Sequence, residues 1–325
     1  MTSRLGMTVP LPGIPLAEHR EWLRQIVDLG YSDCWTMETA GLDAFTPLAT
    51  VAAWAPELRL GTSIASVFTR GPALLAQQAA AIAEAAPGHF VLGIGSSSDA
   101  MVRGWNGIPF ESPYARVRDS LRFLRAALRG ERVQGKFETF ETHGFELERV
   151  PAQAPPIYLA GLRRDMLRLA GREGDGALLS LVAARDVPHL AATVREGSSG
   201  ASRELVLRIG VFPTADAEFA RARCRRLIAA YLNLPAYAGM HEWLGRADEL
   251  APLHAAWRTG DRKGALEAIS DELVDALFVH GEPEACREQI EAFSGAGITT
   301  PVISILPFGG GPDDLARAVR DLAPR

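Results

Sequence analysis

Eight short apolar segments alternate with segments of helical spacing along the 325-residue chain. These segments are nearly all apolar and do not alternate apolar with polar residues, which is typical of strands covered on both faces of a parallel sheet. Eight strand–helix repeats predict an α/β fold, a TIM (β/α)8 barrel, in preference to a doubly wound open sheet, which usually has fewer strands. The predicted strands are Leu5–Val9, Asp33–Met37, Leu58–Ala65, Phe90–Gly95, Pro156–Gly161, Gly176–Val182, Leu205–Phe212 and Val302–Leu306.

The regular spacing is interrupted once, between strands seven and eight. About ninety residues there show helical patterning and no clear strand. We interpret Ala215–Ala276 as a helical insertion that precedes a helix over Pro283–Phe293.

Elsewhere, Ser112 is predicted to cap a helix opened by Pro113, because serine is a favoured N-cap residue and proline a favoured first residue. Residues 1–325 are therefore expected to form a single domain.

Composition and charge exclude several classes of protein. Apolar residues make up 47% of the chain, too many for a disordered protein. A formal charge of −5 makes binding to nucleic acid or to an anionic membrane unfavourable. The three cysteines are far apart, the chain starts with no apolar leader, and no apolar run reaches the ~20 residues of a membrane span. We expect a reduced, cytoplasmic protein without a membrane segment.

A metal site has no support in the sequence. The seven histidines are scattered, and neither HxH nor HExxH spacing occurs. In a TIM barrel the chemistry lies at the C-terminal ends of the strands. These ends are poor in acids and bases and rich in hydroxyl groups. A site of this composition suggests that a cofactor carries the reaction.

Two strand ends carry glycine patterns that can approach a ligand. Ala160-Gly161-Leu162-Arg163 turns directly from strand five into a helix, whose free N–H groups and neighbouring arginines could bind a phosphate. A tight turn with solvated arginines is the alternative. Gly93-Ile94-Gly95 matches half of a dinucleotide fingerprint but has Ser98 in place of the third glycine. We therefore interpret the two glycines as positions where the missing side chains let a planar ligand approach the backbone closely.

Several strings in consecutive order resemble the bacterial-luciferase-like superfamily of flavin and deazaflavin oxidoreductases, over nearly the whole chain. The strings are LGTSI at 60–64, HFVLGIG at 89–95, PIYLAGL at 156–162 and LRLAGREGDG at 167–176. Three further strings resemble the branch that depends on coenzyme F420: VRGWNGIPF at 102–110, YLNLPAYAGMHEWLG at 231–245 and VHGEP at 279–283.

This resemblance implies a TIM barrel, usually dimeric, with a flavin-type ring across its C-terminal mouth and a non-prolyl cis peptide at Ser63–Ile64. It implies catalytic-site positions at Glu38 and Thr39, where Glu38 lies near the polar edge of the ring. It implies that the phosphate is bound by Gly161, Leu162 and Arg163. The full set of cofactor contacts implied is Thr62, Ser63, Ile64, Ser96, Ser97, Ala160, Gly161, Leu162 and Arg163.

One position departs from the pattern of the better-known deazaflavin enzymes. Several of them have Asp-His at the end of strand two, where this chain has Glu38-Thr39. The histidine acid/base is therefore absent, which argues against a sugar-phosphate dehydrogenase and leaves the proton-handling group unassigned.

The resemblance leaves three functions open. The first is hydride transfer between coenzyme F420 and a small organic substrate, with a cytoplasmic homodimer as the expected form. The second is an FMN-dependent monooxygenase that uses oxygen, and the third is a cofactor-binding protein without turnover. An unrelated hydrolase or aldolase barrel lacks support, because Lys136 and Lys263 are the only lysines and neither follows a strand.

Overall fold

The structure, a computed structural model, describes residues 4–324. Its strands are β1 (Gly6–Val9), β2 (Asp33–Thr36), β3 (Arg59–Thr62), β4 (Ala65–Ser66), β5 (Phe90–Gly95), β6 (Val133–Lys136), β7 (Glu141–Phe145), β8 (Ile157–Ala160), β9 (Gly176–Ser180), β10 (Glu204–Phe212), β11 (Val279–His280) and β12 (Thr300–Ile305).

An α-helix follows each strand up to β10, except between β3 and β4 and from β6 to β8. They are α1 (His19–Asp28), α2 (Thr46–Trp54), α3 (Pro72–Ala85), α4 (Pro113–Leu128), α5 (Arg164–Glu173), α6 (Val187–Gly197), α7 (Ala217–Leu232), α8 (Pro235–Trp243), α9 (Ala247–Arg258), α10 (Arg262–Glu267), α11 (Asp271–Leu277), α12 (Pro283–Ala296) and α13 (Pro312–Asp321). Short helical turns cover Leu16–Glu18, Ala100–Trp105 and Ala184–Asp186.

Eight parallel strands close into the predicted TIM barrel. Their order is β12-β1-β2-β3-β5-β8-β9-β10, and the β10–β12 pairing completes the ring. The helical insertion is confirmed as α7–α11, five helices between β10 and β11. These helices pack around buried side chains of their own, such as Cys224, Ile228 and Leu253. That the whole chain is one domain stays a prediction.

Three local features differ from the sequence prediction or refine it. The third predicted strand is split into β3 and β4 by a cis peptide bond at Ser63–Ile64, which confirms the cis bond that the resemblance implied. The β6–β7 hairpin was not predicted, because its strands are short and mostly exposed. The prediction that Ser112 caps α4 is wrong: its φ is 46° and its side chain gives the helix no hydrogen bond.

Side chains fill the barrel interior, as is usual for a TIM barrel. Its central layer is apolar: Trp35, Val91, Tyr158, Leu178, Val206 and Val302. The ring of Trp35 occupies the space left by Gly61, since a Cβ there would lie 2.2 Å from the ring. At the N-terminal end, Arg59 binds Glu204 at 2.6 and 2.9 Å and also bonds Asp33. This ion-pair network closes the bottom of the barrel.

Residues 4–324 contain neither a candidate membrane span nor a candidate metal site. No described helix is long and apolar enough to cross a membrane. No three His, Cys, Asp or Glu side chains of the described chain are grouped so that they could hold a metal ion.

Candidate functional site

One side of the barrel mouth is apolar. Ile64, Gly95 and Ala160 come from three neighbouring strand ends, and a Cβ placed on Gly95 would lie 3.0 Å from the Cβ of Ala160 and 3.2 Å from Ile64. Ile64 and Ala160 also pack on the central apolar layer. Ile64 and Ala160 thus meet over the buried Gly95, and the three residues are called the apolar ledge below. Such a surface suits the face of a planar ring.

The opposite side of the mouth is polar. Leu178 on β9 and Val206 on β10 are paired and face the inside of the barrel. Ser180 and Arg208 are the next pair, two residues further along each strand, and therefore also face the inside, nearer the mouth. Ser304 follows Val302 in the same way on β12. Ser180, Arg208 and Ser304 are called the polar arc below. Nη2 of Arg208 is 3.4 Å from Oγ of Ser180.

The strand-two acid is tied to an arginine. Nη1 of Arg70 lies 2.6 Å from Oε2 of Glu38, and Nη2 bonds the other carboxylate oxygen. The backbone N–H of Ser66 is 3.4 Å from the same Oε2. Both side chains are mostly buried, with 16% of Glu38 and 9% of Arg70 exposed. Glu38 thus holds the segment after β4 against the end of β2, while Thr39 beside it is exposed.

The hydroxyl groups predicted to touch a cofactor occupy different places. Thr62 is fully buried, and its Oγ1 accepts from N of Gly93 at 2.8 Å and donates to the Gly93 carbonyl at 2.7 Å. Its hydroxyl therefore links β3 to β5 behind the mouth. Ser63, Ser96 and Ser97 are half-buried at the mouth, where they are accessible to a ligand.

The turn after β8 leads into α5 as predicted. Gly161 is buried and its N–H donates to the carbonyl of Leu178 at 3.1 Å, so it is part of the barrel rim. Arg163 precedes the helix in an extended conformation, and the first N–H groups of α5 have no partner within the helix. The Arg163 guanidinium is bonded to the carbonyl of Pro235 at the start of α8. Arg163 therefore connects this turn to the insertion, and the exposed Arg164 follows it.

Helix α8 lies over the end of β9. Tyr237 and His241 are four residues apart and share one face of α8. Nε2 of the fully buried His241 is 3.0 Å from the carbonyl of Leu181, just beyond β9. Burial, with the nearby charge of Arg246, lowers the pKa of His241 to about 4, so the ring is neutral near pH 7. Burial raises the pKa of Tyr237, while its neighbours Arg208 and Ser180 lower it.

Most of the predicted cofactor contacts lie on one arc of the mouth, whereas Thr62 lies behind it. Ser63, Ile64, Ser96, Ser97, Ala160 and the turn to Arg163 belong to the ends of the third, fourth and fifth barrel strands. Sequence reasoning missed Arg70 as the partner of Glu38 and missed Arg208 altogether. Arg208 could have been found from the period of two along β10, which places it on the same face as Val206.

Comparisons with known proteins agree with this architecture. Residues 1–300 match the family described as luciferase-like monooxygenase. The chain belongs to this family. This luciferase-like chain is 27% identical, over 98% of both chains, to a Mycobacterium tuberculosis protein proposed to be a coenzyme F420-dependent oxidoreductase.

Solved structures of similar fold include enzymes with either kind of cofactor in their names. One is the coenzyme F420-dependent tetrahydromethanopterin reductase of Methanopyrus kandleri, with a TM-score of 0.79, 20% identity and coverage of 99% of this chain and 98% of the other. Another is a type II Baeyer–Villiger monooxygenase of Pseudomonas putida in complex with FMN, with a TM-score of 0.68, 17% identity and coverage of 99% and 97%. At these identities the likeness concerns the fold of the luciferase-like chain.

Proposed function

We propose that this luciferase-like chain is an oxidoreductase that transfers a hydride between the deazaflavin coenzyme F420 and a small organic substrate. The observation that carries the proposal is the division of the mouth into the apolar ledge and the polar arc. A planar ring needs an apolar surface at its face, and a second reactant needs polar groups that orient it. The relative named as an F420-dependent oxidoreductase supports the choice of cofactor.

The residues of the mouth fit a flavin-type cofactor. In this proposal the apolar ledge takes the ring face, and Ser63, Ser96 and Ser97 bond its polar edge. The N–H groups at the start of α5 and the charge of Arg164 bind the phosphate, because a helix N-terminus carries positive potential. Coenzyme F420, when bound, supplies hydride transfer at C5 of its ring.

The chain itself contributes positioning and exclusion of water. Thr62 and Gly61 fix the strands behind the apolar ledge, and the Glu38–Arg70 pair holds the segment after β4. Since both carboxylate oxygens of Glu38 accept hydrogen bonds from Arg70, we assign Glu38 and Thr39 to the shape of the site and not to proton transfer. Helix α8 covers the polar arc and keeps water from the reacting groups.

A titration with the two cofactors tests the proposal. The protein is titrated with F420 and with FMN, and binding is followed by cofactor fluorescence. We expect F420 to bind and Ala160→Phe to weaken its affinity at least about tenfold, because the new ring occupies the apolar ledge. Ala152→Phe changes an exposed alanine away from the mouth and should leave the affinity unchanged. Equal F420 affinity in the Ala160→Phe and wild-type proteins would contradict the proposed location.

An FMN-dependent monooxygenase is the second candidate, favoured by the family match itself. Both cofactors have a tricyclic ring and a phosphate, so the apolar ledge and the start of α5 suit either. Tight FMN binding with oxygen-dependent product formation and no affinity for F420 would decide for this candidate. F420 binding without turnover of enones, imines or alcohols would indicate a binding protein.

We further propose that the chain works as a cytoplasmic homodimer. The three cysteines are free and buried, which suits a reducing compartment. Among residues 4–324, the most exposed large apolar side chains are those of Trp105 at 59% and Leu74 at 50%, and an interface would cover them. Sedimentation equilibrium tests the assembly: a mass near 70 kDa is expected from the 35.0 kDa chain, and a mass of one chain would refute it.

A further inference from the structure

Arg208 is an interior charge without a countercharge. On β10 the side chains of Glu204, Val206 and Arg208 face the inside of the barrel, because they share the register of Leu178 and its neighbours. Within residues 4–324, the guanidinium of Arg208 makes one hydrogen bond, the long contact to Ser180, and pairs with no carboxylate. Arg208 is half-buried.

The other interior charges are compensated. At the bottom of the barrel Arg59 bonds both Asp33 and Glu204, and the hydroxyl of Tyr158 donates to Glu204 at 2.6 Å. Removing a guanidinium from water costs free energy unless a partner replaces the water. The barrel supplies that partner for Arg59 but not for Arg208. A ligand at the mouth can supply it.

We propose that Arg208 binds an anionic oxygen group of the substrate, a carboxylate or a phosphate ester. A guanidinium presents two parallel N–H groups that match such oxygens, and Ser180 adds a hydroxyl beside it. This inference rests on the proposed function, since it names the substrate class of the same site: a small organic anion.

The position of Arg208 separates it from the predicted cofactor contacts. Those contacts lie at the ends of the third, fourth and fifth barrel strands, whereas the polar arc lies on strands six to eight. Helix α8 covers this side, with Tyr237 beside Arg208 and Ser180. A group bound to Arg208 would therefore lie under α8, across the mouth from the apolar ledge.

Calorimetric titration of the whole chain tests the inference. The probes are benzoate, phenyl phosphate and the neutral analogue benzamide, each titrated into protein that has been saturated with F420. We expect one or both anions to bind and benzamide to bind at least about tenfold more weakly. Arg208→Gln should weaken anion binding at least about tenfold, the loss expected when a charged hydrogen bond is removed. Arg208→Lys keeps the charge and should retain part of the affinity.

The matched control is Arg226→Gln, which removes an exposed arginine on α7. It should bind the anions as the wild type does. Benzamide binding as tightly as the anions, no anion binding to the wild type, or unchanged anion affinity in Arg208→Gln would each overturn the inference. Loss of F420 affinity in Arg208→Gln would also overturn it, because Arg208 would then serve the cofactor. If the wild-type protein binds the anions but has no affinity for F420, the proposed function is refuted and the inference about Arg208 stands.

Discussion

Replacing Glu204 with glutamine should make the protein less stable near neutral pH and should destabilise it less in acid. Burial raises the pKa of Glu204, but the hydrogen bonds and charge of Arg59 outweigh it and lower the pKa from 4.5 to about 2. Thr300 and Tyr158 also donate to this carboxylate, each at 2.6 Å. A difference of about 2.5 pKa units corresponds to roughly 3 kcal/mol.

The lowered pKa of Glu204 decides in which pH range this carboxylate stabilises the fold. The folded protein favours the charged form of Glu204, so this contribution is complete above about pH 5 and is lost as the pH falls from 4.5 towards 2. Because 22% of the Glu204 side chain is exposed, water screens part of it, and we expect about 2 to 3 kcal/mol at pH 7.

Urea unfolding at pH 7, 5 and 3 measures the free energy of unfolding of the wild type and of Glu204→Gln. The deficit of the variant should be largest at pH 7 and 5 and clearly smaller at pH 3. Glu196→Gln, which removes a mostly exposed carboxylate that pairs with Arg168, is the control and should stay close to the wild type. A deficit that is equal at all three pH values would refute the electrostatic account of the barrel bottom.

Three further predictions concern the mouth and its surroundings. Thr62→Val should lower the free energy of unfolding by about 1 to 3 kcal/mol, because it leaves the buried N–H and carbonyl of Gly93 without their hydroxyl partner, and Thr62→Ser should lose less in the same urea assay. His241→Gln should reduce the loss of stability between pH 6.5 and 4. Below pH 6.5 the unfolded chain protonates this histidine, whereas the buried ring in the folded protein stays neutral down to about pH 4, so acid favours unfolding. An unchanged pH dependence of unfolding would contradict this. Arg70→Met should weaken F420 binding and increase proteolysis after β4, whereas Glu38→Gln keeps an acceptor and should do so less; a larger effect of Glu38→Gln on the pH profile of turnover would assign proton transfer to Glu38.

The barrel could be predicted from sequence because its strands are mostly apolar and do not alternate apolar with polar residues. Strands such as Phe90–Gly95 and Glu204–Phe212 differ from their predicted bounds by at most one residue. The β6–β7 hairpin escaped prediction because its strand Glu141–Phe145 has no fully buried residue to mark it. Ser112 failed as a cap because local conformation, and not residue type alone, decides whether a side chain reaches the helix start.

The candidate site was predicted in part. Ile64 and Ala160 came from the resemblance, and the structure brings them together at Gly95. The pairing of Glu38 with Arg70 spans 32 residues, and no local pattern encodes it. The sequence prediction did not include Arg208, although the period of two along β10 places it on the same face as Val206.

A crystal structure of the protein with coenzyme F420 bound tests directly whether the barrel mouth holds the cofactor. We expect the ring against the apolar ledge, the phosphate at the start of α5, and the guanidinium of Arg208 facing the space left for the substrate. A ring bound elsewhere on the protein, or a phosphate held by Arg208 in place of the α5 start, would contradict it.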